Sequence, residues 1–307
     1  MGSIVARSFI GSDDHKRLFC KTFIDTHKPF EPAAIRWPEL DAESLARLKS
    51  LPIWDEAVKT ESETALKVQT LGRAERDPVL SEAITLQGYE EGRHAAVLTL
   101  LTQNYGISVK PFARPAPPTD PERAFLSTGY GECLDSFFAF GLFAIGKRSE
   151  YFPSALIDIF DPIMQEEARH ILFIVNWAAF LRARATLPLK PVYELRRWSA
   201  IVGQILEHAR NAARMGKEDT GSQEGFTMNA RSAFEDLSAR SFLELCLSEN
   251  DRRLAPYDQR LLRPTLVSRS VRLALRFLPK HPASPPGQSP ETVRATGGQP
   301  SSGADAA

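Results

Sequence analysis

Hydrophobic residues recur every three or four positions along most of this chain, from about residue 53 to residue 278. This spacing places them on one face of an α-helix, whereas a half-buried strand would require alternation. Proline and glycine interrupt the pattern at a few points and divide it into separate helices. We therefore predict an all-α protein. The predicted helices cover about 54–76, 78–104, 122–145, 153–184, 192–215, 231–250 and 267–278.

The same breaks predict how the chain is organised. The first four predicted helices form two pairs, joined by a connection that contains five prolines between residues 111 and 121. Near the start of the chain, Pro29, Pro32 and Pro38 prevent any long helix. The last residues are rich in Pro, Ser, Gly and Ala, a composition typical of disorder. The predicted units are an N-terminal extension (1–52), a four-helix bundle (53–185), additional helices that cover the bundle (186–279) and a disordered tail (280–307).

Charge and cysteine content narrow the class of protein. The 38 basic residues balance the 38 acidic residues, which argues against a nucleic-acid partner because phosphate contacts need a basic excess. Cys20, Cys133 and Cys246 form no Cys-x-x-Cys pair, which indicates a reducing compartment. No signal-peptide pattern is found, and every apolar stretch falls short of the roughly 20 residues of a membrane span. We expect a cytoplasmic protein that does not enter a membrane.

Two copies of one motif, Glu-Glu-x-Arg-His, lie in the second and fourth predicted helices. Residues three apart share a helix face, so Glu91 and His94 point in one direction, as do Glu167 and His170. Both faces are otherwise apolar. A lone buried carboxylate is costly and would take up a proton, whereas a divalent cation removes that cost. Carboxylates combined with imidazoles suit iron or manganese.

The first glutamate of each motif is expected to have a different role. Glu90 and Glu166 lie about 100° round the helix from the proposed ligand face. We expect them to pair with Arg93 and Arg169 of their own helices at i,i+3, as modest surface ion pairs. Removing either glutamate should then cost about 0.5 kcal/mol or less and should leave metal binding intact.

The first and third predicted helices each carry an acid at a matching depth. Glu132 lies on the third helix, at about the same distance from its turn as Glu167 on the fourth. On the first helix, Glu61 lies on an apolar stripe, and Glu63 is a close alternative because helix phase is uncertain by a residue or two. Four carboxylates and two imidazoles can therefore meet at one level of the bundle.

Residues 54–184 resemble the ferritin-like superfamily of di-iron carboxylate proteins, in which two helices carry Glu-x-x-His and two others carry one glutamate each. The resemblance implies a ferritin-like four-helix bundle with additional C-terminal helices. It also implies two iron ions, or a manganese–iron pair, with two glutamates bridging them. The ligands that the resemblance implies are Glu61, Glu91, His94, Glu132, Glu167 and His170.

Similar proteins use dioxygen to hydroxylate, desaturate or N-oxygenate small organic substrates. The resemblance therefore implies a non-haem di-iron oxidoreductase of the monooxygenase or oxidase type, with an external electron donor and a homodimer as a further expectation. Two alternatives stay open. One is iron or peroxide handling of the ferritin or rubrerythrin kind, and the other is a tRNA-modifying hydroxylase of the same fold.

Two further residues are candidates for supporting roles. Asp135 lies at i+3 from Glu132, so it either accepts the free N–H of a ligating imidazole or is a partly exposed acid in mid-helix. His208 lies on the apolar stripe of a later helix. A lone histidine there is more typical of a structural residue, and an extra metal ligand is the alternative.

Overall fold

The structure, a computed structural model, describes residues 9–51, 53–148, 152–215 and 238–279. Within these ranges the chain is helical and contains no strand, so the prediction of an all-α protein is confirmed. No helix in the described ranges has both the length and the apolar character needed to cross a membrane. The predicted disordered tail, 280–307, lies outside the described residues.

Nine α-helices and two short 3-10 turns, at Pro32–Ala34 and Leu187–Leu189, make up the described structure. The first four predicted helices are found within a few residues of their expected ends. The helix expected at 231–250 is described only from Ala239. The helices are α1 (Asp13–Asp25), α2 (Ala42–Ser50), α3 (Trp54–Ala74), α4 (Pro78–Asn104), α5 (Pro121–Arg148), α6 (Ser154–Arg184), α7 (Lys190–Met215), α8 (Ala239–Leu254) and α9 (Leu266–Ala274).

Helices α3 and α4 form an antiparallel hairpin whose turn is specified by its sequence. The Asp77 carboxylate accepts hydrogen bonds from the backbone N–H groups of Val79 and Leu80, and Pro78 occupies the first position of α4. This combination is a strong signal for a helix start, because the cap satisfies free N–H groups and proline needs no donor there. The turn fixes the two helices side by side.

Two glycines allow the helices of this hairpin to approach each other closely. A Cβ on Gly88 would lie 2.9 Å from the backbone nitrogen of Gln69, and a Cβ on Gly72 would lie 3.2 Å from the Cα of Thr85. Both clashes involve backbone atoms, which cannot rotate away. The backbones of α3 and α4 are therefore packed directly against each other at these levels.

The four central helices, α3 to α6, surround a common core. Helix α3 contacts both α4 and α5, and α6 contacts both α5 and α4. The core between them is filled by large side chains at helical spacing, as expected for helices with one apolar stripe. Among its most buried members are Val68, Ile84, Phe125, Ile174 and Trp177.

The remaining helices pack around this central group. Helix α1 lies against α4 and α6, while α7, α8 and α9 contact α5. The sequence analysis did not predict α1, although Ser12 caps it and Phe19 and Phe23 are buried one turn apart. The prolines of the N-terminal extension all follow α1, so they do not interrupt it. Part of the extension is therefore a packed layer of the fold.

Substitution of Gly88 tests the close approach of α3 and α4. We expect Gly88→Ala to lower the free energy of unfolding by about 1–3 kcal/mol, because the added methyl group has no room. Gly92→Ala is the matched control, one turn along the same helix, where an added Cβ meets nothing closer than 3.6 Å. That substitution should be neutral or should stabilise by up to about 1 kcal/mol. Chemical denaturation measures both, and equal effects would contradict the packing.

Candidate metal centre

The two motifs meet in the interior, where α4 faces α6. Ligand-type atoms of Glu91, His94, Glu167 and His170 all lie within 4.8 Å of one another. None of the four residues is more than 9% exposed. The i,i+3 spacing within each helix places one carboxylate and one imidazole of each motif toward the other helix, as the sequence pattern predicts.

Each imidazole faces the glutamates of both motifs. His94 Nδ1 lies 3.0 Å from Glu167 Oε1 and 4.0 Å from Glu91 Oε2. His170 Nδ1 lies 2.9 Å from Glu91 Oε1 and 3.8 Å from Glu167 Oε2. The two rings are stacked with their centroids 5.5 Å apart. Glu91 and Glu167 therefore each approach both histidines.

Glu61 on α3 and Glu132 on α5 extend this group on its two sides. Glu61 Oε2 lies 3.8 Å from His94 Nδ1. Of the two alternatives on α3, Glu61 is the one that reaches the centre, since Glu63 lies 3.9 Å from Lys67 of its own helix. Both oxygens of Glu132 are buried without a hydrogen-bond partner among the described residues. We call the six residues of this group the inner set: Glu61, Glu91, His94, Glu132, Glu167 and His170.

The inner set has strongly perturbed acid–base properties. Burial and the nearby carboxylate of Glu167 raise the pKa of Glu61 well above its usual range, and burial and Glu91 do the same for Glu132. Burial lowers the pKa of His94, but hydrogen bonding to Glu166 and the carboxylate of Glu167 outweigh it and raise that pKa to about 10. Protons on these groups thus offset the negative charge that a metal cation would otherwise neutralise.

The inner set fits divalent cations better than it fits a hydrogen-bonded core. Among the described residues, both oxygens of Glu132 are buried without a hydrogen-bond partner. His94 Nδ1 and Glu167 Oε1 lie 3.0 Å apart, but their orientation does not make a hydrogen bond. Such atoms are rare in folded proteins and call for a specific explanation. Four carboxylates carry the charge that two divalent cations neutralise, and carboxylate with imidazole suits iron or manganese. The unpartnered buried atoms, the negative charge and the types of ligand residue therefore all indicate a site for divalent cations.

The first glutamate of each motif is not on the surface, and the expected i,i+3 pairing is wrong. Glu90 is 0% exposed and Glu166 is 5% exposed. Arg93 Nη2 binds Glu166 Oε1 across the helix interface at 2.5 Å, and Arg169 binds Glu90 in the same crossed manner. The helices face each other so closely that each arginine meets the glutamate of the opposite motif.

These glutamates also hold the two imidazoles. His170 Nε2 lies 2.9 Å from Glu90 Oε2, and His94 Nε2 lies 2.8 Å from Glu166 Oε2. A carboxylate at one ring nitrogen fixes the ring orientation and leaves the other nitrogen for a metal. Here the free nitrogen is Nδ1, which faces the inner set. We call this supporting group the outer layer: Glu90, Arg93, Glu166 and Arg169.

The outer layer is charged and buried, and each of its glutamates pairs with one arginine and one imidazole. Burial raises the pKa of Glu90, but hydrogen bonding to His170 and the guanidinium of Arg169 outweigh it and hold that pKa far below its usual range. Glu90 therefore stays ionised. Its Oε1 binds Arg169 and His27, and its Oε2 binds His170. Removing Glu90 would therefore leave buried charge without a partner, which is strongly destabilising.

The N-terminal extension covers this outer layer. His27 Nδ1 binds Glu90 Oε1, the Arg93 guanidinium lies 4.0 Å from the ring centroid of Phe30, and that of Arg169 lies 4.6 Å from Phe23. His27, Glu90 and Glu166 also bring ligand-type atoms within 4.8 Å of one another. Since two arginines already bind these carboxylates, the cluster is an ion-pair network. No motif in the sequence marked His27.

The two supporting candidates from the sequence have different outcomes. The role considered for Asp135, acceptor for a ligand imidazole, is taken by Glu90 and Glu166, because the outward nitrogens of His94 and His170 bind them. Asp135 is half-buried on α5. The side chain of His208 lies outside the described residues.

Comparison with known proteins finds no similar protein. No protein-family model, curated protein or solved structure matches the chain. The function must therefore be argued from the geometry of the inner set and the outer layer.

Substitution of the outer glutamates separates a supporting role from a surface ion pair. We expect Glu90→Ala and Glu166→Ala to weaken metal binding about 10–100-fold, because a ligand imidazole loses the acceptor that orients it. Glu63→Ala, which removes a partly exposed acid on α3, is the matched control and should bind metal as the wild type does. Titration with Mn²⁺ followed by calorimetry measures the affinities. Unchanged affinity in both variants would restore the surface-pair interpretation.

The stability of the metal-free protein should fall as pH rises from about 7 to 10. His94 has a pKa of about 10 when folded and 6.5 ordinarily. Its stabilising effect is complete below the lower value and is lost as pH rises through the higher one. The raised pKa values of Glu61 and Glu132 act in the same direction, because their ionisation is disfavoured in the folded state.

Metal should remove this pH dependence, since a bound cation replaces the protons of the inner set. Thermal unfolding of chelator-treated and Mn²⁺-loaded protein across this pH range provides the test. A metal-free melting temperature that stays constant or increases with pH would contradict the assignment of His94 as a protonated group in the metal-free fold.

Proposed function

We propose that this protein is a non-haem di-iron oxidoreductase that activates dioxygen to oxidise a small organic substrate. The observation that supports it most directly is the inner set, in which Glu91 and Glu167 lie between two histidines while Glu61 and Glu132 flank them. This provides two half-sites, Glu61 with His94 and Glu132 with His170. Each half-site shares the two central carboxylates.

The arrangement of the helices supports a ferritin-like four-helix bundle. Helices α3 and α5 each supply one glutamate, and α4 and α6 each supply Glu-x-x-His. That distribution is the one described for di-iron and di-manganese carboxylate bundles. The contacts of α3 with α4 and α5, and of α6 with α5 and α4, are those of four helices around one core.

In such a centre, paired ferrous ions supply the electrons that reduce dioxygen, and an external donor restores them. The protein residues position and insulate the ions. Glu91 and Glu167 would bridge them, while His94 and His170 would each hold one ion through Nδ1 with the ring fixed by Glu166 or Glu90. Burial of Glu91, His94, Glu167 and His170 would exclude bulk water from the middle of the set, which strengthens the electrostatic interactions there.

Metal stoichiometry tests the two half-sites. Protein loaded anaerobically with ferrous iron should hold two ions per chain by metal analysis. Glu132→Gln should lose one of them, because one half-site then lacks a charged ligand. Glu63→Gln, which neutralises the neighbour of Glu61 that does not reach the centre, should retain both. One ion per chain in the wild type would contradict a dinuclear centre.

Dioxygen chemistry tests the reaction class. The loaded wild type should consume dioxygen rapidly, and Glu132→Gln should lose at least tenfold of that rate. Repeated consumption with an added reductant supports an oxidoreductase. Iron uptake far beyond two ions per chain, with dioxygen consumed only during uptake, would indicate iron storage and would overturn the proposal.

A further inference from the structure

A cavity of about 680 Å³ lies away from the metal centre, between α5, α6, α7 and the segment 262–274. On α5 its wall includes Tyr130, Leu134 and Phe138, which are spaced four residues apart and share one helix face. Glu132 lies two residues from both Tyr130 and Leu134, about 200° round the helix. The α5 backbone therefore separates the cavity from the inner set, and a ligand in the cavity does not depend on metal at the centre.

The body of the cavity is apolar. Its size falls in the range of sites that enclose a small-molecule ligand, roughly 300–1,000 Å³. Aliphatic and aromatic side chains from five helices, α5 to α9, converge on it. An apolar occupant would therefore gain burial from several sides. Representative wall residues are Phe138, Val175, Ile201, Leu243 and Val267.

The charged residues that line the cavity are all basic. Arg182, Arg197, Arg263 and Arg269 belong to the lining, and none of the described aspartates or glutamates does. This contrasts with the whole chain, in which acidic and basic residues are equal in number. A lining whose charged residues are all positive, beside an apolar wall, indicates an occupant with an anionic end.

Of these four arginines, Arg263 and Arg269 are available to such an anion. Arg182 and Arg197 both pair with Glu194, which partly neutralises them. Arg263 donates through Nη2 to the backbone carbonyls of Tyr257 and Asp258, while its Nη1 is buried without a hydrogen-bond partner among the described residues.

Arg269 lies on α9, is exposed, and forms no ion pair with a described side chain. A guanidinium fork offers the geometry that a carboxylate prefers. Arg263 and Arg269 therefore both offer guanidinium donors in the lining of the apolar cavity.

We infer that this cavity binds an apolar monocarboxylic acid of the fatty-acid class, with its chain against Leu134, Phe138 and Ile201 and its carboxylate at Arg263 and Arg269. The apolar wall explains the affinity for the hydrocarbon chain of the ligand, and the arginines explain the requirement for an anionic group. A neutral molecule of the same length would leave the guanidinium groups without a counter-charge.

A comparison of an acid with its alcohol tests both parts of the inference. Full-length protein is titrated with tetradecanoic acid and with tetradecanol, each by displacement of a polarity-sensitive fluorescent probe. The acid should bind about tenfold or more tightly than the alcohol, the difference expected for a charge-assisted hydrogen bond. Chelator-treated protein should give the same ratio, so the result is independent of the metal proposal.

Two variants assign the preference to the arginines. Arg269→Glu should abolish the preference for the acid while leaving alcohol binding within about twofold, and Arg263→Gln should reduce that preference. Arg272→Gln is the matched control, because Arg272 lies on the same helix, pairs with Asp251 and does not line the cavity.

A variant that folds poorly would weaken both ligands, whereas loss of the carboxylate contact changes only their ratio. Equal binding of acid and alcohol by the wild type would overturn the inference. So would an acid preference that survives Arg269→Glu, or the absence of binding by either ligand.

Discussion

The gathering of four carboxylates at one level of a largely apolar interior is the constraint on which the rest of this structure depends. Carboxylates at such short separations repel one another, and low-dielectric surroundings magnify the repulsion. Without a cation, the fold compensates with protons, as the raised pKa values of Glu61, Glu132 and His94 indicate. An interior built in this way favours positive charge, and a divalent cation supplies it most compactly.

The crossed contacts of the outer layer explain why the repeated motif is five residues long. Glu-x-x-His alone would supply two ligands. The preceding glutamate and the arginine reach the opposite helix, so α4 orients His170 and α6 orients His94. The two motifs are therefore interdependent. The N-terminal extension adds an unequal contribution, because His27 binds Glu90 and has no counterpart at Glu166 among the described residues.

Much of this architecture could be predicted from the sequence, because helical periodicity and proline positions are local signals. The bounds of α3 to α6 and the shared face of Glu91 and His94 follow from them. The partners of Arg93 and Arg169 could not be predicted, since i,i+3 spacing allows a contact within the helix and the rotation of α4 against α6 is a tertiary property. Helix α1 was missed because its apolar stripe is short and prolines follow it.

The direct backbone contact at Gly72 and Gly88 has a consequence for which ions the centre can select. Where side chains separate two helices, a larger ion can be accommodated by a change of rotamer. Here the main chains of α3 and α4 already touch, with no room even for a methyl group on Gly88. In the proposed metal centre, the hairpin would therefore hold the backbones that carry Glu61 and Glu91 at a fixed separation. Glycine positions that touch no ion would then limit the ionic radius that the site accepts.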